Sequence, residues 1–363
     1  MKRPLLALAG LGVVLLVLAL YFGHSNKGAE PGATAPEHAA SVDKRLSGGA
    51  PKAGASSPAK MIVDPAARTR GDVVVKGGWG SKPGEFGRRR DPESNPEGPM
   101  ALVAGAHGEL ALVDQINRRV ERYKDGKLVG TIPLGGDTVQ DIALGPDGRT
   151  LLLDRLADKN VQVYDSSGKL LNELTLTGKG VPEGGGVTGL FSDDSGVYVE
   201  REHATLVRIA DKDGNADPDR PELIGRPTRD GRFLVQAAIG DRAAGEVLVR
   251  AFDRASGQPA WSQPIRLDTP ILHIIMLDSD RHGMIYLAID VGREAPAPPY
   301  PIVDEKIVIA RLGPGGTPRG AIEVPPFPTA DETFRPISVD DDGTVYVMVA
   351  GENGLSVTRY TFN

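Results

Sequence analysis

The chain has 363 residues, 40% of them hydrophobic, which is enough for one large or two ordinary domains with a substantial core. Residues 72–363 carry 33 Lys and Arg against 44 Asp and Glu, a net charge of −11, which is the wrong sign for a protein that binds nucleic acid through its phosphates. The absence of cysteine excludes disulfides, thiolate metal sites and a lipid-modified N-terminal cysteine.

The first element in chain order is an apolar segment at the N-terminus. Lys2 and Arg3 precede an uncharged run over residues 4–22, which has the length of a membrane-spanning helix. Basic residues on this side of a helix keep the N-terminus cytoplasmic. We therefore predict an uncleaved anchor in the inner membrane over residues 1–24 and an extracytoplasmic body, periplasmic if the source is bacterial. The alternative is a cleaved signal segment and a secreted protein.

Residues 25–70 form the second predicted region. They are rich in Ala, Gly, Pro and Ser and have almost no aromatic or β-branched clusters. Such a segment buries too little apolar surface to offset its ordering entropy. We predict a disordered linker that tethers a domain of residues 71–363.

The region after Gly71 consists of short runs of β-branched, aliphatic and aromatic residues separated by glycine turns, and no window has a helical apolar stripe. This pattern predicts an all-β domain. Six turn glycines recur at intervals of 38 to 60 residues, namely Gly108, Gly148, Gly196, Gly245, Gly283 and Gly343. Repeats of this size with several strands each predict a six-bladed β-propeller.

One unit also resembles the NHL repeat. Its signature is Asp114, followed by Asn117, Arg119 and a β-branched residue, and the glycine-rich stretch upstream contains Trp79 and Phe86. The resemblance covers about 45 residues, one propeller blade in length. It implies a six-bladed β-propeller in which these five residues have structural roles, with Trp79 and Phe86 packed between neighbouring blades.

The resemblance further implies how the ring closes. In such propellers the strand before the glycine-rich stretch is the outer strand of the preceding blade. Residues 72–76 have no preceding blade, whereas the last unit, residues 335–362, supplies only three strands. Pairing of the two would remove two exposed strand edges.

The most specific ligand motif is an acidic loop over residues 211–222. Oxygen-bearing side chains occupy positions 1, 3, 5, 7, 9 and 12 of this loop, the spacing of a calcium-binding loop: Asp211, Asp213, Asn215, Asp217, Asp219 and Glu222. Ala216 stands where the sharp turn of such a loop has glycine. The two alternatives are therefore a calcium site and a solvated acidic turn.

Two residues are candidates for channel chemistry. His273 falls in an apolar run predicted to be an innermost strand, where it could act as a base or a metal ligand. Six-bladed propellers similar to gluconolactonase bind a divalent cation in the channel, and Asp141 is the inner-strand candidate for such a ligand. No matching Glu and Asn pair accompanies it. For both residues the alternative is a structural role.

The sequence contains no nucleophile motif, phosphate loop or zinc pattern. We predict a binding scaffold without a cofactor, calcium being the one candidate, that holds a protein or small ligand on a propeller face and binds no nucleic acid. The rival is a metal-dependent lactonase or related hydrolase.

Overall fold

The computed structural model describes residues 57–145 and 147–362, and these residues form six β-sheets. Three strands precede the first complete sheet: β1 (Ala59–Lys60), β2 (Val63–Asp64) and β3 (Asp72–Gly77). Short 3-10 helices lie at Pro65–Thr69, Ala106–Gly108, Gln115–Asn117 and Gly184–Gly186.

Each sheet is one blade whose own strands pair antiparallel, and β1 and β2 each add one parallel strand to a blade. The strands of blades 1 to 3 are β4 (Ala101–Ala104), β5 (Glu109–Asp114), β6 (Arg119–Lys124), β7 (Lys127–Pro133); β8 (Asp141–Leu144), β9 (Thr150–Asp154), β10 (Asn160–Tyr164), β11 (Leu170–Thr175); β12 (Val187–Asp193), β13 (Gly196–Arg201), β14 (Thr205–Ala210), β15 (Glu222–Leu223). The strands of blades 4 to 6 are β16 (Arg226–Pro227), β17 (Phe233–Asp241), β18 (Glu246–Asp253), β19 (Pro259–Arg266); β20 (Ile271–Ser279), β21 (Ile285–Glu294), β22 (Ile302–Leu312), β23 (Pro318–Val324); β24 (Ile337–Val339), β25 (Val345–Gly351), β26 (Gly354–Tyr360).

The blades stand around a central channel, where β4 contacts β8 and β24, β8 contacts β12, and β20 contacts β24 and β17. The predicted all-β fold with six blades is confirmed. The second strand of blade 2, β9, is buried along its whole length, so it is a continuous apolar run rather than an alternating one.

The apolar core lies between blades. Five clusters of buried residues each join two successive blades, at every junction except that of blades 3 and 4. At that junction Arg226 binds Glu200, and Arg254 lies 2.8 Å from Asp193. Among the described residues, ion pairs thus connect blades 3 and 4, where the other five junctions between blades have an apolar cluster.

The ring closes as the sequence predicts. β3 pairs antiparallel with β26, and Val75 stands opposite Val357. Both side chains are almost fully buried in the cluster between blades 6 and 1. The first described long strand therefore completes the last blade and removes the strand edge that each would otherwise expose.

The structure corrects the predicted linker boundary for residues 57–70. β1 pairs in parallel with β19, and β2 pairs in parallel with β23, so this strap crosses the outer edges of blades 4 and 5. Met61, between the two strands, is only 2% exposed and belongs to the core cluster of these blades. Composition did not reveal this because a single buried methionine and two short edge pairings leave little sequence pattern. The remainder of the predicted linker and the predicted anchor lie outside the described residues.

One of the six turn glycines does not occupy the same turn of its blade as the others. Gly245 lies between the second and third strands of blade 4. The other five glycines lie at the turn between the first and second strands of their blades, Gly196 being the first residue of β13. The matching position in blade 4 is Gly231, which has φ of 74°. The blade count is unaffected because each blade still contributes one glycine.

Within residues 57–145 and 147–362, no helix is long and apolar enough to cross a membrane.

Candidate functional site in the central channel

A cavity of about 70 Å³ lies in the channel among blades 2 to 6. Its walls combine charged groups with apolar and aromatic side chains: Asp141, Thr188, Phe191, His203, Arg226, Met276, Asp278, Phe334 and Arg335 are among them. Except for His203, which lies in the loop between β13 and β14, these residues come from the first strands and the loops before them. The ring itself brings them together.

Asp141 is fully buried at the start of β8 and is bound by Arg335 from blade 6. The Nε and Nη2 atoms of Arg335 donate to the two carboxylate oxygens at 2.8 and 2.7 Å. The backbone N–H groups of Ile142 and Leu190 donate at 2.9 and 2.8 Å. Burial disfavours the charge of Arg335, but Asp141 outweighs this and raises the pKa of the guanidinium. The pair therefore joins blades 2, 3 and 6.

Glu200 and Arg226 form a second buried pair in the channel. Nε and Nη2 of Arg226 donate to Oε1 and Oε2 of Glu200 at 2.7 and 2.8 Å, and Nη1 donates to the carbonyl of Leu277 at 2.6 Å. Burial alone would raise the pKa of Glu200, but Arg226 and, to a smaller extent, His203 lower it to about 2. Arg226 thereby links blades 3, 4 and 5.

A third arginine binds the carboxylates at the other end of the channel. Arg229 lies 3.2 Å from Asp278 and 3.0 Å from Asp341, and it donates to the carbonyl of Val339 at 2.6 Å. Arg281 also pairs with Asp341. Burial would raise the pKa of Asp341, but the two arginines lower it.

These contacts determine what the channel can do chemically. Four arginines and four carboxylates pair with one another, and Arg226, Arg229 and Arg335 each connect at least two blades. A metal ion at Asp141 would have to displace a two-point arginine pair and two backbone donors. Among the described residues, no group of three or more His, Asp or Glu side chains is placed to hold a metal ion.

His273 lies on the innermost strand of blade 5, as the sequence predicts, but it does not line the cavity. Its side chain is 58% exposed, and Nδ1 is 3.5 Å from Oδ2 of Asp290. Burial, and then the charge of Glu305, raise the pKa of Asp290 to about 7. Desolvation by the protein atoms around the partly exposed ring, and then Arg242, lower the pKa of His273.

The first half of the acidic loop is closed by its own hydrogen bonds. Oδ1 of Asp211 accepts the backbone N–H groups of Asp213 and Asn215, each at 2.9 Å, and Oδ2 accepts the Asn215 amide at 3.1 Å. The carboxylate of Asp213 pairs with Lys212. The side chains of Asp211 and Asn215 thus hydrogen-bond to each other, and they do not converge with the Asp213 carboxylate on a common ligand position.

The second half of the loop is bound to other parts of blade 3. Asp217 accepts from Arg208 at 2.7 Å, which lowers the pKa of Asp217, and its Oδ1 accepts the N–H of Asp219. Glu222 lies in β15, 3.5 Å from Arg201. The six predicted side chains therefore do not converge in this structure.

The loop begins with a turn that occurs four times within residues 57–145 and 147–362. In each, an Asp accepts the backbone N–H groups two and four residues later at 2.8 to 3.0 Å, and a glycine three residues later has φ of 74° to 87°. The four turns are Asp165–Lys169, Asp211–Asn215, Asp280–Met284 and Asp340–Thr344. This recurrence explains the acidic spacing at 211–215 as a hairpin turn.

The five residues assigned structural roles lie together at the junction of blades 6 and 1. Asp114 accepts from Gly87, Asn117 and Arg119 at 2.8 to 3.1 Å, although burial still raises its pKa. Asn117 donates to the carbonyl of Gly80 at 2.8 Å. The repeat signature therefore fastens the glycine-rich stretch to blade 1.

Arg119 and the two aromatic residues complete this joint. Arg119 donates to the carbonyls of Ser81 and Lys82, each at 3.0 Å. Phe86 is fully buried, whereas Trp79 is half-buried and donates to the carbonyls of Gly351 and Glu352 in blade 6 at 3.1 and 3.0 Å.

Sequence reasoning missed Glu200, Arg226, Arg229 and Arg335. Each stands alone in the sequence, and its partner lies in another blade. The one sequence signal for these channel residues is a single arginine next to a short apolar run. The same pattern is common for arginines on protein surfaces, so it does not identify a channel position. Only the closed ring shows that these positions face the channel.

The fold and the channel define the class of protein, a six-bladed β-propeller. The sequence matches no protein-family model and no curated protein. Solved structures with a similar chain fold include hydrazine synthase from Kuenenia stuttgartiensis, with 14% identity, a TM-score of 0.47, and coverage of 74% of this chain and 80% of that one.

Two further structures have a similar fold. The Streptogramin B lyase structure has 11% identity and a TM-score of 0.40, covering 77% of this chain and 97% of that one. A member of the DUF4221 family from Bacteroides vulgatus ATCC 8482 has 11% identity and a TM-score of 0.44, covering 74% and 94%. Likeness at this level concerns the fold, and we transfer no activity from these proteins.

Proposed function

We propose that this protein is a membrane-tethered, extracytoplasmic binding module that docks a protein partner on one face of the propeller. The docking face is the upper face, defined as the face on which the first strand of each blade begins. The tether follows from the apolar N-terminal run and the basic residues before it. The binding role follows from a hairpin of blade 5.

The hairpin β21–β22 carries the proposal. Its strands, of ten and eleven residues, are longer than those of the other described blades, and the connecting loop is rich in proline. Tyr300 is 50% exposed, and Ile302 and Val303 are each 42% exposed. Clustered apolar side chains in water favour a binding surface, whereas single ones are ordinary.

The position of the hairpin supports docking on the upper face. Strands alternate in direction within a blade, so the loop between the second and third strands lies where the first strand begins. The tip is bordered by the exposed pair Arg293 and Asp304, 3.3 Å apart. An apolar centre with a charged rim is the usual anatomy of a protein interface.

The channel supports a binding role over hydrolysis. Asp141, the candidate metal ligand, is held by Arg335 and two backbone donors. The charged groups of the cavity are paired with one another, so the cavity presents neither an activated nucleophile nor an open ligand set.

The docking proposal is tested by photocrosslinking in cells that express the full chain. We expect a photoreactive residue at Tyr300 to give a discrete crosslinked protein product. The control is the same residue at Val129, which is 63% exposed on the outer strand of blade 1. Equal product patterns at both positions, or no product at Tyr300, would contradict docking through this hairpin.

A further inference from the structure

Three polar side chains form a row across blade 5 near the base of this hairpin. His273 on β20 is directly opposite Asp290 on β21. Asp290 is opposite Ile307 on β22, so Glu305, two residues earlier, is its diagonal neighbour on the same face. Diagonal neighbours of this kind are within reach of long side chains.

Asp290 has a carboxylate oxygen that accepts no hydrogen bond from the described residues, unlike the acidic residues at the corresponding position of other blades. Asp114, Asp154 and Glu200 occupy the fifth or sixth position of the second strands of blades 1 to 3, and each accepts three hydrogen bonds. Asp290 is at the same position in blade 5 and is 8% exposed. Its buried Oδ1 has no hydrogen-bond partner among the described residues. Leaving a buried carboxylate oxygen unpaired is costly.

The neighbouring cations are engaged elsewhere. Arg242 donates to the backbone carbonyls of Ile271 and Leu272. Lys306 lies 2.9 Å from Glu323, and Arg293 pairs with Asp304. Among the described residues, no Arg or Lys therefore forms an ion pair with Asp290.

We propose that His273 and Asp290 are two ligands of a divalent transition-metal site, of the kind that takes Zn²⁺, and that Glu305 supplies the third. The distance of 3.5 Å from Nδ1 of His273 to Oδ2 of Asp290 exceeds a normal hydrogen bond. It matches the separation of about 3.4 Å between two ligands on a tetrahedral ion with bonds of about 2.05 Å.

Glu305 completes the site by a change of side-chain rotamer. It lies near enough for its charge to act on Asp290. Before this rotation, only His273 and Asp290 are separated by the distance expected of two ligands on one ion. The described residues therefore contain no group of three side chains that is already placed to hold a metal ion. The exposed edge of His273 leaves room for water or for a side chain of a partner as the fourth ligand.

The test is titration of the purified full chain, free of any histidine tag, with Zn²⁺ by calorimetry and with Co²⁺ by visible absorption. We expect one bound ion per chain and a tetrahedral Co²⁺ spectrum. His273→Gln and Asp290→Asn should each weaken binding by about tenfold or more. Zn²⁺ should raise the melting temperature of the wild type and not of these variants.

The matched control is His203→Gln. His203 also lies close to a carboxylate, with Nδ1 3.6 Å from Oε2 of Glu200, but Arg226 already binds that carboxylate at both oxygens. We expect His203→Gln to keep wild-type affinity. The proposal is overturned if the wild type binds no Zn²⁺, if His273→Gln binds as well as the wild type, or if His203→Gln loses as much affinity.

Discussion

A chain that begins at Gly78 is expected not to fold cooperatively. It lacks β3, so β26 becomes an open edge and blade 6 keeps three strands. It also loses Val75 from the cluster that joins blades 6 and 1. Domains are stable by only about 5–15 kcal/mol, so opening the ring should remove most of that free energy of unfolding. Calorimetry and denaturant unfolding measure the effect.

Two longer chains distinguish the effect of ring closure by β3 on stability from the effect of the strap at residues 57–70. A chain that begins at Gly71 keeps β3 and loses Met61, and we expect it to fold with about 2–5 kcal/mol less stability, the usual range for removing a buried methionine. A chain that begins at Ser57 keeps both elements and should unfold like the full chain. A single transition at the full-chain temperature for the chain from Gly78 would disprove closure by β3.

Arg335→Met is expected to destabilise the protein by about 3–5 kcal/mol. The change leaves Asp141 buried and charged without its arginine, which costs more than the pair contributes when intact. The free energy of unfolding from denaturant titration reports the loss. Adding Asp141→Asn to Arg335→Met should recover part of it, because the uncompensated charge is then gone.

The matched control is Arg359→Met. Arg359 pairs with Asp72 at 3.0 Å, but the two side chains are 46% and 68% exposed. Exposed pairs of this kind contribute about 0–1 kcal/mol. Equal losses for Arg335→Met and Arg359→Met would mean that the channel pair is no more important than a surface one.

Much of the fold could be predicted from the sequence because its signals are local. Alternating and continuous apolar runs, and the turn glycines between them, predicted the strands and the number of blades. The unpaired run 72–76 predicted how the ring closes. The strap at 57–70 was missed because its short parallel strands require neither a hairpin turn nor an alternating apolar pattern in the sequence. Met61 is also its one deeply buried large side chain.

Less of the candidate site could be predicted because its contacts are distant in sequence. Asp141 and Arg335 are 194 residues apart, and no motif links them. The acidic spacing over residues 211–222 suggested one ligand set, yet its side chains belong to a hairpin turn and to separate ion pairs. His273 was identified by residue type and strand, whereas Asp290 and Glu305 required the register of three strands.

We propose that the channel is a structural core of ion pairs rather than a catalytic site. The most direct test of this claim is turnover of a panel of lactones and esters by the purified full chain, with Mg²⁺, Ca²⁺, Mn²⁺ or Zn²⁺ and with a chelator. We expect no metal-dependent turnover, and no difference between the wild type and a folded Asp141→Asn variant. Turnover that the chelator abolishes and that Asp141→Asn loses would contradict the claim and identify a hydrolase.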